Sequence, residues 1–334
     1  MDRLTVGILF GGLSEEHDVS VKSAREVARA LDGEKYRPVF LHIGRDGRWR
    51  QVDAPGGREL APAALSPDRA VHGICLGDRQ IRLDVVLPVL HGRFGEDGAM
   101  QGLLELAGIP YVGCGVAASA MCMDKALTYL AARRAGVETP EFFILDAHDT
   151  MMPEDVGYPV FVKPARSGSS FGVNRVERAE DLLPAILEAR RYDAKVLLER
   201  AVSGREVGCA ILEEKGKILF GALDMIELSG GFFRIHQEKN PEAGSQNAVL
   251  RVPAPISEEA ARAIREAAAK VFREVGGRGL CRVDMFLTPE GRCVLNEVNT
   301  FPGLTSYSRY PRMMAAAGID MPELLDRLIG GAIC

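Results

Sequence analysis

Arg282-Val-Asp284-Met-Phe286, followed closely by Asn296-Glu297-Val-Asn299, decides how this chain is read. Both stretches alternate polar and apolar residues, the period-2 mark of half-buried strands. Between them lies Pro289-Glu-Gly-Arg292. Pro-Glu makes a poor two-residue hairpin turn, because such turns favour Gly or Asn. A four-residue loop built on a type I turn, with proline in second place, fits better. In that register Asp284 faces Glu297 and Arg282 faces Asn299. Two carboxylates and an amide oxygen then share one sheet face, all hard donors of the kind Mg²⁺ takes. Like charges so close are costly unless a cation neutralises them. The plainer reading is a solvated polar face with a stray ion pair. The metal reading is preferred because Val283, Met285, Leu287, Leu295 and Val298 already furnish a core on the opposite face.

Working outward, residues 4–10 read as an apolar strand ending at Gly11-Gly12, followed by a helix over 18–32 and a strand over 37–43. Strand 84–90 runs into His91-Gly-Arg-Phe-Gly-Glu-Asp-Gly98, then a helix over 99–107 and a short strand over 109–112. This rhythm predicts an open, mainly parallel α/β sheet, with ligand loops at 11–17 and 91–98 beyond the strands' carboxyl ends. Residues 54–68, rich in Pro, Gly and Ala, read as a surface excursion. After about residue 121 the pattern becomes α+β. Helices are predicted over 124–135, 179–190, 257–275 and 322–330. Strands are predicted over 142–145, 159–163, 172–176, 195–199, 207–213 and 217–224, with a polar loop over 228–247.

The chain has 334 residues, enough for two or three domains of about 100–200 each. With 47% hydrophobic and 26% charged residues it has an ordinary globular composition. A net charge of −5 without a basic block argues against nucleic acid as a partner. No apolar run approaches the roughly 20 residues of a membrane span. The N-terminus reads as a strand rather than a signal peptide. The seven scattered cysteines form no CxxC or Cys/His cluster, so core-filling reduced thiols in a cytoplasmic enzyme are expected.

Tyr158-Pro-Val-Phe161-Val-Lys163-Pro-Ala-Arg-Ser-Gly168-Ser169-Ser170-Phe-Gly172 reads as strand, Gly/Ser loop, strand. It is not a P-loop, for GxxxxGK[ST] is absent and no helix follows. It still offers backbone N–H groups, two hydroxyls and a lysine that can fold over phosphates. Alone it is balanced against a flexible hairpin tip. Beside a metal hairpin it favours a nucleoside triphosphate site. Lys125 in a first helical turn is mildly unfavourable unless an anion is near, though a solvated lysine is the commoner case. Glu199 ends a strand at a hinge whose backbone could meet an adenine edge. Ser14-Glu15-Glu16-His17 can be a dipole-matched helix start or a holder for a substrate ammonium. His91 and Glu96-Asp97 are equally open.

Taken together and in order, these motifs resemble the ATP-grasp D-alanine–D-alanine ligase family over essentially the whole chain. The resemblance rests on Gly11-Gly-Leu-Ser-Glu-Glu16, His91–Gly98, Met123-Asp-Lys125, Lys163–Ser170, Arg282-Val-Asp284, Asn296–Asn299 and Pro302-Gly303-Leu-Thr-Ser-Tyr-Ser308. It implies transfer of the ATP γ-phosphate to a D-alanine carboxylate, then attack on the acyl phosphate by a second substrate. It implies that Glu16, linked to Ser169, holds the first D-alanine's ammonium, with His91 beside it. Lys125 and Lys163 would bind phosphates under a loop carrying Ser169 and Ser170. Phe161 and Phe286 would sandwich adenine, Glu199 and Val202 would read its edge, and Glu206 would bind ribose. Asp284, Glu297 and Asn299 would hold two Mg²⁺ ions, with Mn²⁺ able to stand in, and Asn296 close by. Arg282 and the Gly303 N–H would stabilise an oxyanion, and Ser308 would receive the second carboxylate. Phosphoryl transfer needs neutralised charge and positioning more than covalent help.

One departure narrows the reading. Dipeptide-forming members carry a Lys-Tyr pair in the mobile loop, whereas this chain reads Phe232-Phe-Arg234-Ile-His236-Gln-Glu. With Glu16–Ser23 and Ser306–Met314, that stretch resembles the vancomycin-resistance D-alanine–D-lactate ligases, in which the loop histidine and Arg309 are linked to the second substrate. Such an enzyme is expected to have three domains, 1–121, 122–206 and 207–334, and to work as a homodimer. The rivals are a D-alanine–D-alanine or D-alanine–D-serine ligase, a catalytically silent nucleotide binder, and another ATP-grasp enzyme such as a carboxylase. Intact Asp284, Glu297, Asn299 and Arg282 oppose the second, and the Glu16 and His91 loops oppose the third.

Overall fold

The computed structural model describes residues 3–147, 149, 155–228 and 248–333. The predicted loop 228–247, with His236, lies outside the described residues save for Leu228.

The first sheet is built on β1 (Leu4–Gly11), which is buried from Thr5 onward and leads into α1 (His17–Ala30). A strand buried on both faces reads as a continuous apolar run, the pattern of a parallel sheet covered by helices. β1 pairs in parallel with β2 (Tyr36–Ile43) on one side. The edge is extended by antiparallel β3 (Trp49–Val52) and β4 (Glu59–Pro62). β5 (Ala64–Leu65), β6 (Gly73–Leu76) and β7 (Arg79–Arg82) form a small antiparallel sheet of their own. β8 (Val85–Val89) returns to pair in parallel with β1, so the order is β4-β3-β2-β1-β8. The sheet is parallel at its heart and antiparallel at one edge. Residues 54–68 are not a plain excursion, because β4 and β5 lie in them; short, exposed edge strands leave little periodic signal. Helix α2 (Ala99–Ala107) falls where the periodicity places it. The segment at 109–112 is only a single bridge, Val86 to Tyr111. Helix α3 (Val116–Met123) was not anticipated, and α4 (Lys125–Arg134) follows it, capped by the Asp124 carboxylate.

The middle unit is antiparallel. β9 (Phe142–Leu145), β10 (Val160–Pro164), β11 (Asn174–Val176) and β12 (Val196–Arg200) stand in the order β11-β10-β12-β9. Helix α5 (Leu182–Ala189) packs Ile186 and Ala189 against Val160, Val162 and Leu198.

The last unit carries β13 (Arg205–Glu214), β14 (Lys217–Phe220), β15 (Asp224–Leu228) and β16 (Ala248–Arg251). The strand predicted over 217–224 is two, parted at Gly221. Helix α6 (Glu258–Glu274) is N-capped by Ser257 and sets Ala261, Ile264, Ala268, Val271 and Phe272 against the sheet at helical spacing. β17 (Leu280–Leu287) and β18 (Cys293–Asn299) complete the order β16-β15-β13-β17-β18, with β14 on β13. The hairpin register is as expected: Arg282 opposite Asn299, Asp284 opposite Glu297. Gly291 N–H closes the turn on the Thr288 carbonyl at 3.0 Å, with Pro289 in second place. Alternation alone cannot put both Leu295 and Val298 in the core, since they are three apart. A bulge beyond Asp284 absorbs Asn296 and solves this, so Val283, Met285, Leu287, Leu295 and Val298 all enter one core. Helices α7 (Arg309–Ala316) and α8 (Met321–Ile333) pack Tyr310, Met313, Leu324 and Leu328 with Val6, Ile8 and Val89, joining this unit to the first sheet.

Candidate functional site

Three structural units meet around one polar region. The C-terminal sheet supplies a face of charged side chains. Asp284 is fully buried, and Arg282 grips it through Nε (2.9 and 3.0 Å) and Nη2 (2.8 Å). Asn299 Nδ2 lies 3.2 Å from Asp284 Oδ2 and 3.5 Å from Glu297 Oε1. The three expected metal donors therefore converge. Among the described residues no group of three or more His, Cys, Asp or Glu side chains gathers as a metal cluster. The set is instead two carboxylates and an amide, which fits a hard divalent cation once the amide presents its oxygen. Burial opposes the charge of Glu297, but Lys125, Arg282 and Lys163 outweigh it and hold its carboxyl below the usual range. That balance ties the lysines of the middle unit to the hairpin.

Arg309 and Glu206, expected at the second substrate's carboxylate and at ribose, are paired with each other, Nη1 to Oε1, at 2.7 Å. Arg309 also forks onto Asp224 through Nε and Nη2, both at 2.7 Å, and lies 3.2 Å from Asp284. Buried charges must find partners, and here they find one another. Burial and the neighbouring carboxylates push Glu206 up to about 7 against the pull of Arg309.

In the middle unit Lys163 Nζ donates to Glu199 Oε1 at 2.7 Å and lies 5.5 Å from the Phe161 ring centre. Tyr129 OH donates to Glu199 Oε2 at 2.7 Å and to the Asn296 carbonyl at 2.9 Å. The Glu199 carboxylate thus faces inward, 1% exposed, bound to Lys163 and Tyr129. Lys125 Nζ donates to the Ser167 carbonyl at 2.8 Å and lies 3.9 Å from Glu297. Phe161, opposite Glu199, and Phe286, opposite Glu206, stay partly exposed among buried neighbours. Val202 lies, half-buried, in the link between β12 and β13. Ser169 and Ser170 adopt left-handed backbone angles, φ 50° and 60°. Two consecutive non-glycine residues there mark a strained loop of the kind found at ligand sites.

The first unit brings Glu16 to that loop. Ser169 Oγ donates to Glu16 Oε1 across the units. A Cβ on Gly168 or Gly92 would approach Glu16 Oε2 to 3.2 or 3.0 Å, so both glycines give the carboxylate room. His91 is buried, 3.4 Å from Ser23 Oγ, and burial lowers its pKa against the pull of Glu16. Glu96 accepts the Gly92 N–H at 2.6 Å. Burial, then the charge of Glu16, push its carboxyl up to about 8. Its other bond is to the Phe301 backbone, just ahead of Gly303. Ser308 immediately precedes α7, but its hydroxyl turns to Thr305, sharing a hydrogen bond of 2.5 Å with Thr305 Oγ1; a Cβ on Gly303 would come within 2.8 Å of its Oγ. His236 lies outside the described residues. Sequence reasoning passed over Asp224, Tyr129 and Gly208. The one available signal was an aspartate opening the otherwise apolar Asp224-Met-Ile.

This is the fold of an ATP-grasp enzyme. The chain matches the D-ala D-ala ligase N-terminus family over residues 5–114 and the D-ala D-ala ligase C-terminus family over residues 132–330. It belongs to the D-alanine–D-alanine ligase family and is an ATP-dependent ligase. A Streptomyces coelicolor protein, provisionally named a D-alanine–D-lactate ligase, is 59% identical over 341 residues, 100% of this chain and 99% of that one. The vancomycin/teicoplanin A-type resistance protein VanA of Enterococcus faecium is 53% identical over 337 residues, 98% of each. The crystal structure of the VanG D-Ala:D-Ser ligase of Enterococcus faecalis superposes with a TM-score of 0.90 at 38% identity, covering 98% of this chain and 99% of that one. Among the described residues no helix is long and apolar enough to cross a membrane.

Proposed function

We propose that the protein is a D-alanine–D-lactate ligase. It phosphorylates the carboxylate of D-alanine with ATP and passes the acyl group to the hydroxyl of D-lactate. The product is a depsipeptide cell-wall precursor of the kind linked to vancomycin resistance. The observation that carries the reading is Phe232-Phe-Arg234-Ile-His236-Gln-Glu where dipeptide-forming ligases have Lys-Tyr. The relative at 59% identity supports it.

The residues would divide the work as follows. Glu16, braced by Ser169, holds the ammonium of the donor D-alanine beside His91. Lys125 and Lys163 bind phosphate oxygens, and Ser169 and Ser170 close over them. Phe161 and Phe286 flank the adenine, with Glu199, Val202 and Asn296 near it. Lys163 and Glu206 exchange protein partners for the nucleotide. Asp284, Glu297 and Asn299 would hold two Mg²⁺ ions, which when bound neutralise the triphosphate. Once the acyl phosphate has formed, the D-lactate hydroxyl oxygen attacks its carbonyl carbon, the C–O bond to phosphate breaks, and the hydroxyl proton passes to the departing phosphate. Arg282 and the Gly303 N–H stabilise the oxyanion, a contribution of roughly 2.7–4 kcal/mol per donor in such sites. Ser308 and Arg309 receive the D-lactate carboxylate. The reading includes the three-domain division at 121 and 206, a homodimer and a cytoplasmic setting.

His236 gives the preference a physical basis. D-alanine arrives with an ammonium that must lose a proton before attack, whereas D-lactate is a plain anion. A partly protonated histidine, reference pKa about 6.5, repels the first and suits the second. The test is one assay with ATP, Mg²⁺ and D-alanine, with and without D-lactate, and products resolved by mass. Depsipeptide should dominate near pH 6, and dipeptide should gain as the pH rises toward 9. A ratio that stays flat removes His236 from the account, and dipeptide alone at every pH makes this a D-alanine–D-alanine ligase.

A further inference from the structure

We propose that Asp224 is the positioning residue of Arg309, and through it sets how tightly the acceptor's carboxylate is held. The proposal rests on the assignment of Arg309 to that carboxylate.

The arrangement begins with a missing side chain. Gly208 on β13 is paired with Asp224 on one side and Asp284 on the other. A Cβ there would stand 2.4 Å from Asp224 Oδ1, 2.5 Å from Arg309 Nη2 and 2.9 Å from Asp284 Oδ1. The guanidinium lies across the strand in the space the glycine leaves. Asp224 takes its side edge, Nε to Oδ2 and Nη2 to Oδ1, and accepts the Gly208 N–H at 3.0 Å as well. A two-bond fork fixes the plane of a guanidinium as a single contact cannot. Asp224 is fully buried, yet Arg309 outweighs that burial and keeps its carboxyl below the usual range. The anchor therefore stays charged.

With Nε and Nη2 committed, Nη1 has Glu206 as its hydrogen-bond partner among the described residues. That end can pass to a substrate carboxylate while the fork holds. Without the fork nothing fixes the plane in which that end is presented to the acceptor.

The experiment is steady-state kinetics of the full-length enzyme with ATP, donor D-alanine and D-lactate each varied. Asp224→Asn keeps the shape and loses the charged fork. It should raise the D-lactate KM by about tenfold or more, and leave the KM values for ATP and donor within about twofold. In an Arg309→Lys background Asp224→Asn should add less than about twofold, because the two act as one unit. Three KM values that move together, or an effect that persists undiminished beside Arg309→Lys, overturn the proposal. An Arg309→Lys variant with an unchanged D-lactate KM overturns the Arg309 assignment itself. A large Arg309→Lys effect with a silent Asp224→Asn overturns the role of Asp224 alone.

Discussion

The site has two acidic walls, and they are neutralised differently. On the C-terminal sheet, Asp224 and Asp284 are fully buried and carry their own cations, Arg309 and Arg282. In the N-terminal loops, Glu16 and Glu96 have hydroxyl and backbone N–H partners, and no ion pair within 4 Å among the described residues. One residue from each wall, Asp224 and Glu96, shows the consequence in its proton affinity. Asp224 lies below the usual carboxyl range although burial alone would raise it. Glu96, only half-buried, is pushed up to about 8 by burial and by Glu16. A wall with resident arginines is stable as it stands and exchanges partners. A wall of unpaired acids gains most from an incoming cation. An amino-acid ammonium is such a cation, and D-lactate has none, so the N-terminal wall suits the donor and the C-terminal wall the acceptor.

The sharpest way to break this comparison is to remove an anion from the self-neutralised wall. Asp284→Ala strips Arg282 of its carboxylate and Arg309 of one of its three. Breaking a buried pair costs about 3–5 kcal/mol in stability. ADP release with D-alanine, ATP and Mg²⁺ should vanish, and the urea midpoint should fall with it. Normal turnover would mean that the hairpin acids are scaffolding only.

The opposite wall should respond in binding more than in folding. Glu16→Gln keeps an acceptor for Ser169 but removes the charge facing the donor. Loss of a charge-assisted bond, about 1.5–3 kcal/mol, corresponds to a donor KM raised roughly ten- to hundredfold. The ATP KM should hold. Equal losses in both would show that Glu16 only braces the Ser169 loop.

The two walls also differed in how far the sequence revealed them. The hairpin register followed from alternation and one turn, because both strands are local in sequence. The Asn296 bulge did not, since it shows only as Leu295 and Val298 sharing a core. The carboxylate of Glu199 turns to Lys163 and Tyr129, which no local pattern could place. Asp224 and Arg309 are separated by 85 residues, so their fork is invisible without the sheet order. Helix α7, only eight residues from Arg309 to Ala316, gives barely two turns of pattern and went unpredicted. Motif order revealed the family, while the partners of each charge needed the coordinates.

The smallest effect is the most direct measure of an acid whose burial outweighs the distant pull of Arg282. Glu96 releases its proton near pH 4.5 when unfolded and at about 8 when folded. Below the first value both states are protonated, and the contribution of Glu96 to stability is fully present. Between the two, the folded state holds a proton that the unfolded state has released, so stability declines as the pH rises. Above about 8 both states are ionised and the contribution is gone. Glu96→Gln cannot titrate and should flatten that decline. Relative to the parent, the variant should therefore gain stability steadily from pH 5 to 8, read as urea midpoints in matched buffers. Titrating groups that do not feel the charge of Glu96 drop out of the difference. The same sign predicts that D-alanine, by bringing its ammonium to Glu16, lowers the affinity of Glu96 for its proton. Donor binding near pH 7 should then release protons, seen as a buffer-dependent heat in titration calorimetry, and Glu96→Gln should abolish that dependence. Parallel stability profiles for parent and variant would show that the N-terminal wall has a cation after all.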